Sequence, residues 1–118
     1  IPPANAAAAL EALNILESEP ERVANLRNIA DYMRAGLKKL GIPILDSETP
    51  IIPVMTWENE RTFIITKMLL DEGVYVNPVV SPAVKPGNCL LRTSYTATHT
   101  KEQMDYALKS FEKVFSKI

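Results

Sequence analysis

Few residues in this chain of 118 can carry acid–base or nucleophilic chemistry, because it holds one histidine, His99, and one cysteine, Cys89. A nucleophile–base pair needs a histidine beside a serine or cysteine, and zinc needs several histidines or cysteines at ligand spacing. Neither pattern occurs, and no glycine-rich phosphate loop with a lysine is found. We interpret His99 as a polar residue near a helix start and Cys89 as a small core residue.

Arg92 is the side chain with the clearest chemical potential. It follows two leucines in a predicted strand and precedes Thr93 and Ser94. Burial of an arginine without a partner is costly, so Arg92 either reaches solvent from an exposed sheet face or binds an anion. Its planar guanidinium matches a carboxylate in a two-bond fork. On residue types alone, an exposed strand arginine and an anion clamp remain equally open.

The totals exclude several classes of partner. A formal net charge of −1 implies no strongly basic surface, which argues against nucleic acid. A single cysteine excludes an internal disulfide and suits a cytoplasmic location. No apolar run approaches the ~20 residues of a membrane span, and no signal-peptide pattern is found. The chain opens at Ile1-Pro2-Pro3 without a methionine, which we interpret as an internal cut.

The apolar periodicity predicts the order helix, helix, strand, helix, strand, loop, strand, helix. The helices are expected at 6–17, from the cap at 18–21 to Leu40, at 59–71 and from the cap at 100–103 to Phe115. The strands are expected at 51–57, 74–77 and 89–95, and the loop at 78–88. Capping boxes are predicted at 18–21 and at 100–103, and Gly41 is expected just past the end of the second helix.

This order indicates one α+β domain over residues 1–118, with a small mixed or antiparallel sheet covered by helices. Pro53 predicts that the first strand is an edge strand or carries a bulge. Few contacts are expected between the first helix and the rest of the chain, and its alanine-rich face suggests packing against another domain or a partner.

Four segments carry a resemblance when taken in order. They are Gly73-Val74-Tyr75-Val76-Asn77, then Ser81-Pro82-Ala83-Val84-Lys85-Pro86-Gly87, then Leu91-Arg92-Thr93-Ser94, then Thr96-Ala97-Thr98-His99-Thr100. Their order and spacing resemble the carboxy-terminal signature of the α-oxoamine synthases. The likeness runs from about Pro2 to the last helix.

The resemblance implies the small carboxy-terminal domain of a fold-type-I enzyme that depends on pyridoxal phosphate (PLP). Such an enzyme is normally a homodimer that joins an amino acid to an acyl-coenzyme A, with the cofactor as electron sink. The lysine that binds the cofactor belongs to the large domain. We therefore expect this chain alone to bind no cofactor and to catalyse no turnover.

The resemblance also implies site residues. The family's strand arginine, at the position of Arg92, would bind the carboxylate of the amino acid. The loop residues Ser81, Pro82, Ala83 and Val84 would border the active-site mouth and the acyl-chain path. Several family members have a second arginine just before this loop, where the present chain has valine. This departure leaves the amino-acid and acyl-chain specificity open.

Two other readings stay open. The chain would be a free-standing α+β binding or oligomerisation module if its reading frame began near Ile1. It would be the small domain of a fold-type-I aminotransferase if no acyl-coenzyme A took part. The second reading keeps Arg92 as the carboxylate-binding residue.

Overall fold

The computed structural model describes residues 1–118, and it has the predicted order of elements. The helices are α1 (Pro3–Ser18), α2 (Glu21–Lys39), α3 (Asn59–Asp71) and α4 (Lys101–Phe115). The strands are β1 (Ile51–Trp57), β2 (Asn77–Val79) and β3 (Cys89–Ser94). The predicted α+β class is confirmed, and no helix is both long enough and apolar enough to cross a membrane.

The sheet has three antiparallel strands in the order β1-β3-β2, so β3 is central. The prediction for Pro53 is confirmed, because β1 is an edge strand and its register shifts between Met55 and Trp57. The carbonyl of Pro53 accepts a hydrogen bond from the Leu45 N–H at 3.0 Å on the outer side of β1. The missing N–H of Pro53 therefore falls outside the ladder that joins β1 to β3.

Helices α2, α3 and α4 pack on one face of the sheet. The core joins residues of all these elements, among them Ile52, Val54 and Leu91 from the strands and Met33, Leu37, Ile65, Leu69 and Phe111 from the helices. Each is at most 2% exposed. Burial of a side chain of this size contributes roughly 1.5–3 kcal/mol, so this face supplies most of the stability of the fold.

One of the two predicted capping boxes is confirmed. At the start of α4, the Gln103 N–H donates to the Thr100 hydroxyl, and the Gln103 side chain accepts from the Thr100 N–H. The box predicted at 18–21 is wrong, because α1 continues to Ser18 and the N-cap of α2 is Pro20. The Ser18 hydroxyl instead donates back to the Ile15 carbonyl of its own helix.

The second strand lies later in the chain than predicted, at Asn77–Val79 instead of 74–77. Gly73, at a φ of 85°, ends α3 in the left-handed conformation, and the Val74 N–H donates to the Leu69 carbonyl at 2.8 Å. Val74 is therefore held in the turn that ends the helix. Val76 enters the core, and pairing with β3 begins only at Asn77.

The first helix contrasts with the other three. None of its residues is buried, and its leucines Leu10, Leu13 and Leu16 are each about half exposed or more. The expectation of few contacts within the chain is confirmed. Helix α3 also leaves apolar residues outside, since Phe63 and Leu70 are about half exposed while Ile65 and Leu69 fill the core.

Candidate functional site

A cleft opens where β2 and β3 separate. Their ladder ends at the pair formed by Asn77 and Arg92. Beyond this pair the chain segment 73–76 leads back to α3, β3 continues to Ser94, and the first turns of α4 close the far side. The resulting cavity has a volume of about 600 Å³ and is lined by segments 73–77 and 92–95 together with residues of α4.

Arg92 lines this cleft and has no partner in the chain. Its side chain is exposed, whereas Leu91 and Thr93 on either side of it are buried, so the predicted alternation of faces along β3 is confirmed. No hydrogen bond or ion pair occupies its guanidinium, even though Glu102 lines the same cleft. The guanidinium thus keeps all its donors available for a ligand.

The end of β3 beside Arg92 is held by a chain of hydroxyl groups on the core side. The Tyr95 hydroxyl donates to the Thr93 hydroxyl at 2.8 Å, which in turn donates to the Ile52 carbonyl at 2.7 Å. Burial raises the pKa of Tyr95 above its ordinary value, outweighing the Thr93 hydrogen bond that lowers it. The phenol therefore stays protonated at neutral pH and keeps donating. These two hydrogen bonds tie the end of β3 to β1.

His99 closes one wall of the cleft and is occupied by local structure. Its Nδ1 accepts a hydrogen bond from the Thr96 N–H at 3.1 Å, which places the proton of the neutral ring on Nε2. The ring lies edge-on to Tyr95, with 6.3 Å between centroids. These contacts agree with the prediction of a polar residue near the start of a helix.

The predicted loop site lies at the other end of the hairpin. Ser81 and Val84 are half-buried, and Pro82 and Ala83 are exposed. None of the four lines the cleft, because the loop follows the pair formed by Val79 and Leu90 while the cleft lies beyond the opposite end of β2. The structure therefore does not bring the loop residues and Arg92 into one cavity.

Asn59 fixes the base of this loop, and sequence reasoning did not identify it. Its Oδ1 accepts hydrogen bonds from the Ser81 N–H at 3.2 Å and from the Cys89 thiol at 2.9 Å. Asn59 is the first residue of α3, so the loop and the start of β3 are both tied to the amino-terminal end of that helix. The partners are up to 30 residues away in sequence, and no local pattern signals the contact.

Helices α2 and α4 are joined behind the cleft by an exposed cluster. The Tyr32 hydroxyl donates a hydrogen bond to the Asp105 carboxylate, which also pairs with Lys101. This hydrogen bond raises the pKa of Tyr32 and lowers the pKa of Asp105. The cluster stabilises the packing of the two helices and does not reach the cleft.

The side chains present limit the chemistry of the cleft. No lysine lines it, so nothing in it can form an imine with a carbonyl group. No group of three or more His, Cys, Asp or Glu side chains is placed to hold a metal ion. What the arrangement can do is bind an anion at Arg92 and hold it in a fixed orientation.

Comparison with known proteins places these features in a family. Residues 1–111 match the family described as aminotransferase class I and II. A serine palmitoyltransferase (SPT) of Bacteroides thetaiotaomicron is 45% identical over 96% of this chain, which covers 29% of that protein. An 8-amino-7-oxononanoate synthase of Thermosipho melanesiensis is 42% identical over 98% of this chain and 30% of its own length.

Solved structures agree with the sequence matches. A structure of SPT with PLP superposes with a TM-score of 0.91 at 32% identity, covering 99% of this chain and 30% of that one. A serine palmitoyltransferase from S. paucimobilis with a bound PLP–myriocin aldimine gives a TM-score of 0.84 at 29% identity, over 91% of this chain and 27% of that one. The chain thus spans about 30% of the length of the relatives it matches.

Proposed function

This chain belongs to the aminotransferase class I and II family and is related to α-oxoamine synthases, and from that premise we propose that residues 1–118 form the carboxy-terminal small domain of a PLP-dependent acyl-coenzyme A:amino-acid C-acyltransferase. The enzyme joins an amino acid to an acyl-coenzyme A. A second copy completes it as a homodimer. The apolar residues that α1 leaves exposed support a role for this helix in contacts outside the chain.

One observation carries the proposal, namely that Arg92 is exposed, has no partner in the chain and is one of the residues that line an open cleft. A carboxylate accepts two parallel hydrogen bonds from a guanidinium, which orients it as well as binding it. Hydrogen bonds to charged groups contribute about 1.5–3 kcal/mol each. The role of Arg92 is therefore to bind the carboxylate of the amino acid and hold the molecule in one orientation.

The cofactor supplies an electron sink for the amino-acid carbanion when it is bound. The cleft of this chain has no lysine, so the residues described here do not fit a covalent cofactor site. We call the protein in which this chain is the small domain the complete enzyme. The lysine that binds the cofactor belongs to its large domain. This chain alone is expected to give no turnover.

The loop residues Ser81, Pro82, Ala83 and Val84 border the path of the acyl chain in this proposal. Support comes from the anchoring of the loop by Asn59 and from its two prolines, Pro82 and Pro86, which restrict the backbone. The loop lies apart from Arg92, as expected if one region contacts the acyl group and the other contacts the amino acid.

Release of free coenzyme A tests the proposed reaction. The complete enzyme, supplied with PLP, an amino acid and an acyl-coenzyme A, is expected to release a thiol that Ellman's reagent detects. Release should require both substrates, and omission of either should abolish it. Thiol release that does not depend on any amino acid would contradict the proposal.

An aminotransferase is the second candidate, and the family match itself favours it. It would use Arg92 in the same way but would transfer the amino group to a 2-oxo acid without an acyl-coenzyme A. Amino-group exchange in the absence of acyl-coenzyme A, with no thiol release in its presence, would select this candidate. The reading frame upstream of Ile1 separates both enzymes from a free-standing module, since both require a large domain there.

A further inference from the structure

Asn77 is the cross-strand neighbour of Arg92. The two residues form the last pair of the antiparallel ladder between β2 and β3. Side chains of directly opposed residues emerge on the same face, with Cβ atoms roughly 4.5–5.5 Å apart. Both residues belong to the lining of the same cleft, and their side chains share the sheet face opposite the one that carries Leu91 and Thr93.

The carboxamide of Asn77 has no partner in the chain. Asn77 is half-buried, yet none of its side-chain atoms takes part in a hydrogen bond. The buried side-chain nitrogens that lack a partner are those of Arg34 and Arg61, so the Asn77 amide is accessible to solvent. A carboxamide offers two N–H donors and an acceptor oxygen. When such a group is partly buried and unpaired, a hydrogen bond from it to a ligand contributes favourably to the free energy of binding.

Asn77 and Arg92 are also not hydrogen-bonded to each other. Had the Asn77 oxygen accepted from the guanidinium, the pair would be satisfied internally and the amide would only position the arginine. Because no such bond forms, the donors of both side chains stay free for a third group. The ligand that two adjacent sets of N–H donors satisfy best is an anion with two acceptor oxygens, such as a carboxylate.

We propose that Asn77 is a second carboxylate-binding residue of the cleft. Its Nδ2 amide donates to one oxygen of the carboxylate that Arg92 holds, which fixes the rotation of that group about the guanidinium plane. This inference rests on the proposed function of Arg92 and adds a residue to the same site. Besides Tyr75, Tyr95 and Tyr106, the other ionisable groups that line the cleft with Arg92 are Glu102 and His99, and Glu102 is a charge that opposes anion binding.

Nuclear magnetic resonance of the ¹⁵N-labelled 118-residue chain tests the inference with acetate as the probe. We expect the Nε–H signal of Arg92 and the Nδ2 amide signals of Asn77 to shift together along one saturation curve. Asn77→Asp is expected to weaken acetate binding about tenfold or more, because its carboxylate takes the place of the ligand beside the guanidinium.

A matched control changes the same residue type elsewhere. Asn88→Asp adds the same charge at an exposed asparagine of the hairpin loop that has no side-chain hydrogen bond. Acetate affinity should stay within about twofold of the parent value there, because the charge is remote and screened by salt. Asn77→Ala, which removes the amide without adding charge, should give a smaller loss than Asn77→Asp and serves if the aspartate variant does not fold.

The outcomes separate this inference from the proposal on which it rests. If the Arg92 signal shifts with acetate while the Asn77 amide signals stay fixed, the role of Asn77 is wrong and that of Arg92 stands. If neither signal moves up to the highest acetate concentration, both roles fall. If surface amides throughout the chain shift in parallel with Asn77, binding is non-specific and the inference is overturned.

Discussion

The two faces of β3 differ in burial and in hydrogen bonding. On one face, Leu91 and Thr93 are buried, and the Thr93 hydroxyl is hydrogen-bonded to β1. On the other face, Arg92 and Ser94 are exposed and without partners. The comparison teaches that one set of alternate residues stabilises the fold, while the other set leaves side chains free for the ligand-binding role proposed for Arg92. Substitutions one position apart should therefore give different kinds of effect.

The largest effect is expected at Leu91, which is fully buried. Leu91→Ala should lower the free energy of unfolding by about 2–5 kcal/mol, because it removes buried apolar atoms and leaves a cavity against the three covering helices. Urea denaturation followed by circular dichroism measures this change. A loss below about 1 kcal/mol would mean that this face is not the packed one.

A smaller loss is expected at Thr93, whose hydroxyl links Tyr95 to the Ile52 carbonyl. Thr93→Val keeps the shape of the side chain but removes its hydrogen bonds to Tyr95 and to the Ile52 carbonyl, which should cost about 1–3 kcal/mol. Ser94→Ala, one residue along on the open face, is the matched control and should change stability by less than about 0.5 kcal/mol. Equal losses for the two variants would contradict the separation of the faces.

The pH dependence of stability should report on Tyr95. Its pKa in the folded chain lies above the ordinary value near 10, so the stability linked to it is present below pH 10 and is lost as the pH rises through the folded pKa. Tyr95→Phe should remove this part of the decline, whose slope for one proton is at most about 1.4 kcal/mol per pH unit. Unfolding curves that decline identically above pH 10 for both proteins would show that Tyr95 does not titrate differently on folding.

The smallest effect on stability is expected at Arg92. Its exposed side chain has no partner, so Arg92→Ala should change the free energy of unfolding by less than about 0.5 kcal/mol. The same urea denaturation checks this value. A loss comparable to that of Thr93→Val would show that the guanidinium contributes to the fold and is not reserved for a ligand.

Most of the fold could be predicted from local patterns. The bounds of α3 and the alternation along β3 follow directly from apolar spacing, and the prediction holds at Asn59, Asp71, Leu91 and Arg92. The errors arise where a helix end competes with the next element. Helix α1 extends to Ser18, which was expected to cap α2. The turn after Gly73 moves the start of β2 from the expected residue 74 to Asn77.

Only part of the candidate site could be predicted in this way. Arg92 could be identified as an anion-binding candidate because an unpaired charge in a strand is unusual, and the resemblance supplied its role. The pairing of Arg92 with Asn77 depends on a register that is set across the whole hairpin loop. The contact between Asn59 and Cys89 joins two elements 30 residues apart. Neither pairing has a signature in sequence spacing.

The most direct measurement of the central claim is the Michaelis constant for the amino acid in the complete enzyme carrying Arg92→Ala. The account predicts a rise of at least roughly 10- to 100-fold, the effect of losing one hydrogen bond to a charged group, with the constant for acyl-coenzyme A nearly unchanged. Arg27→Ala, which removes an exposed and unpaired arginine from α2, should leave both constants unchanged. An unaltered Michaelis constant for the amino acid in Arg92→Ala would contradict the account.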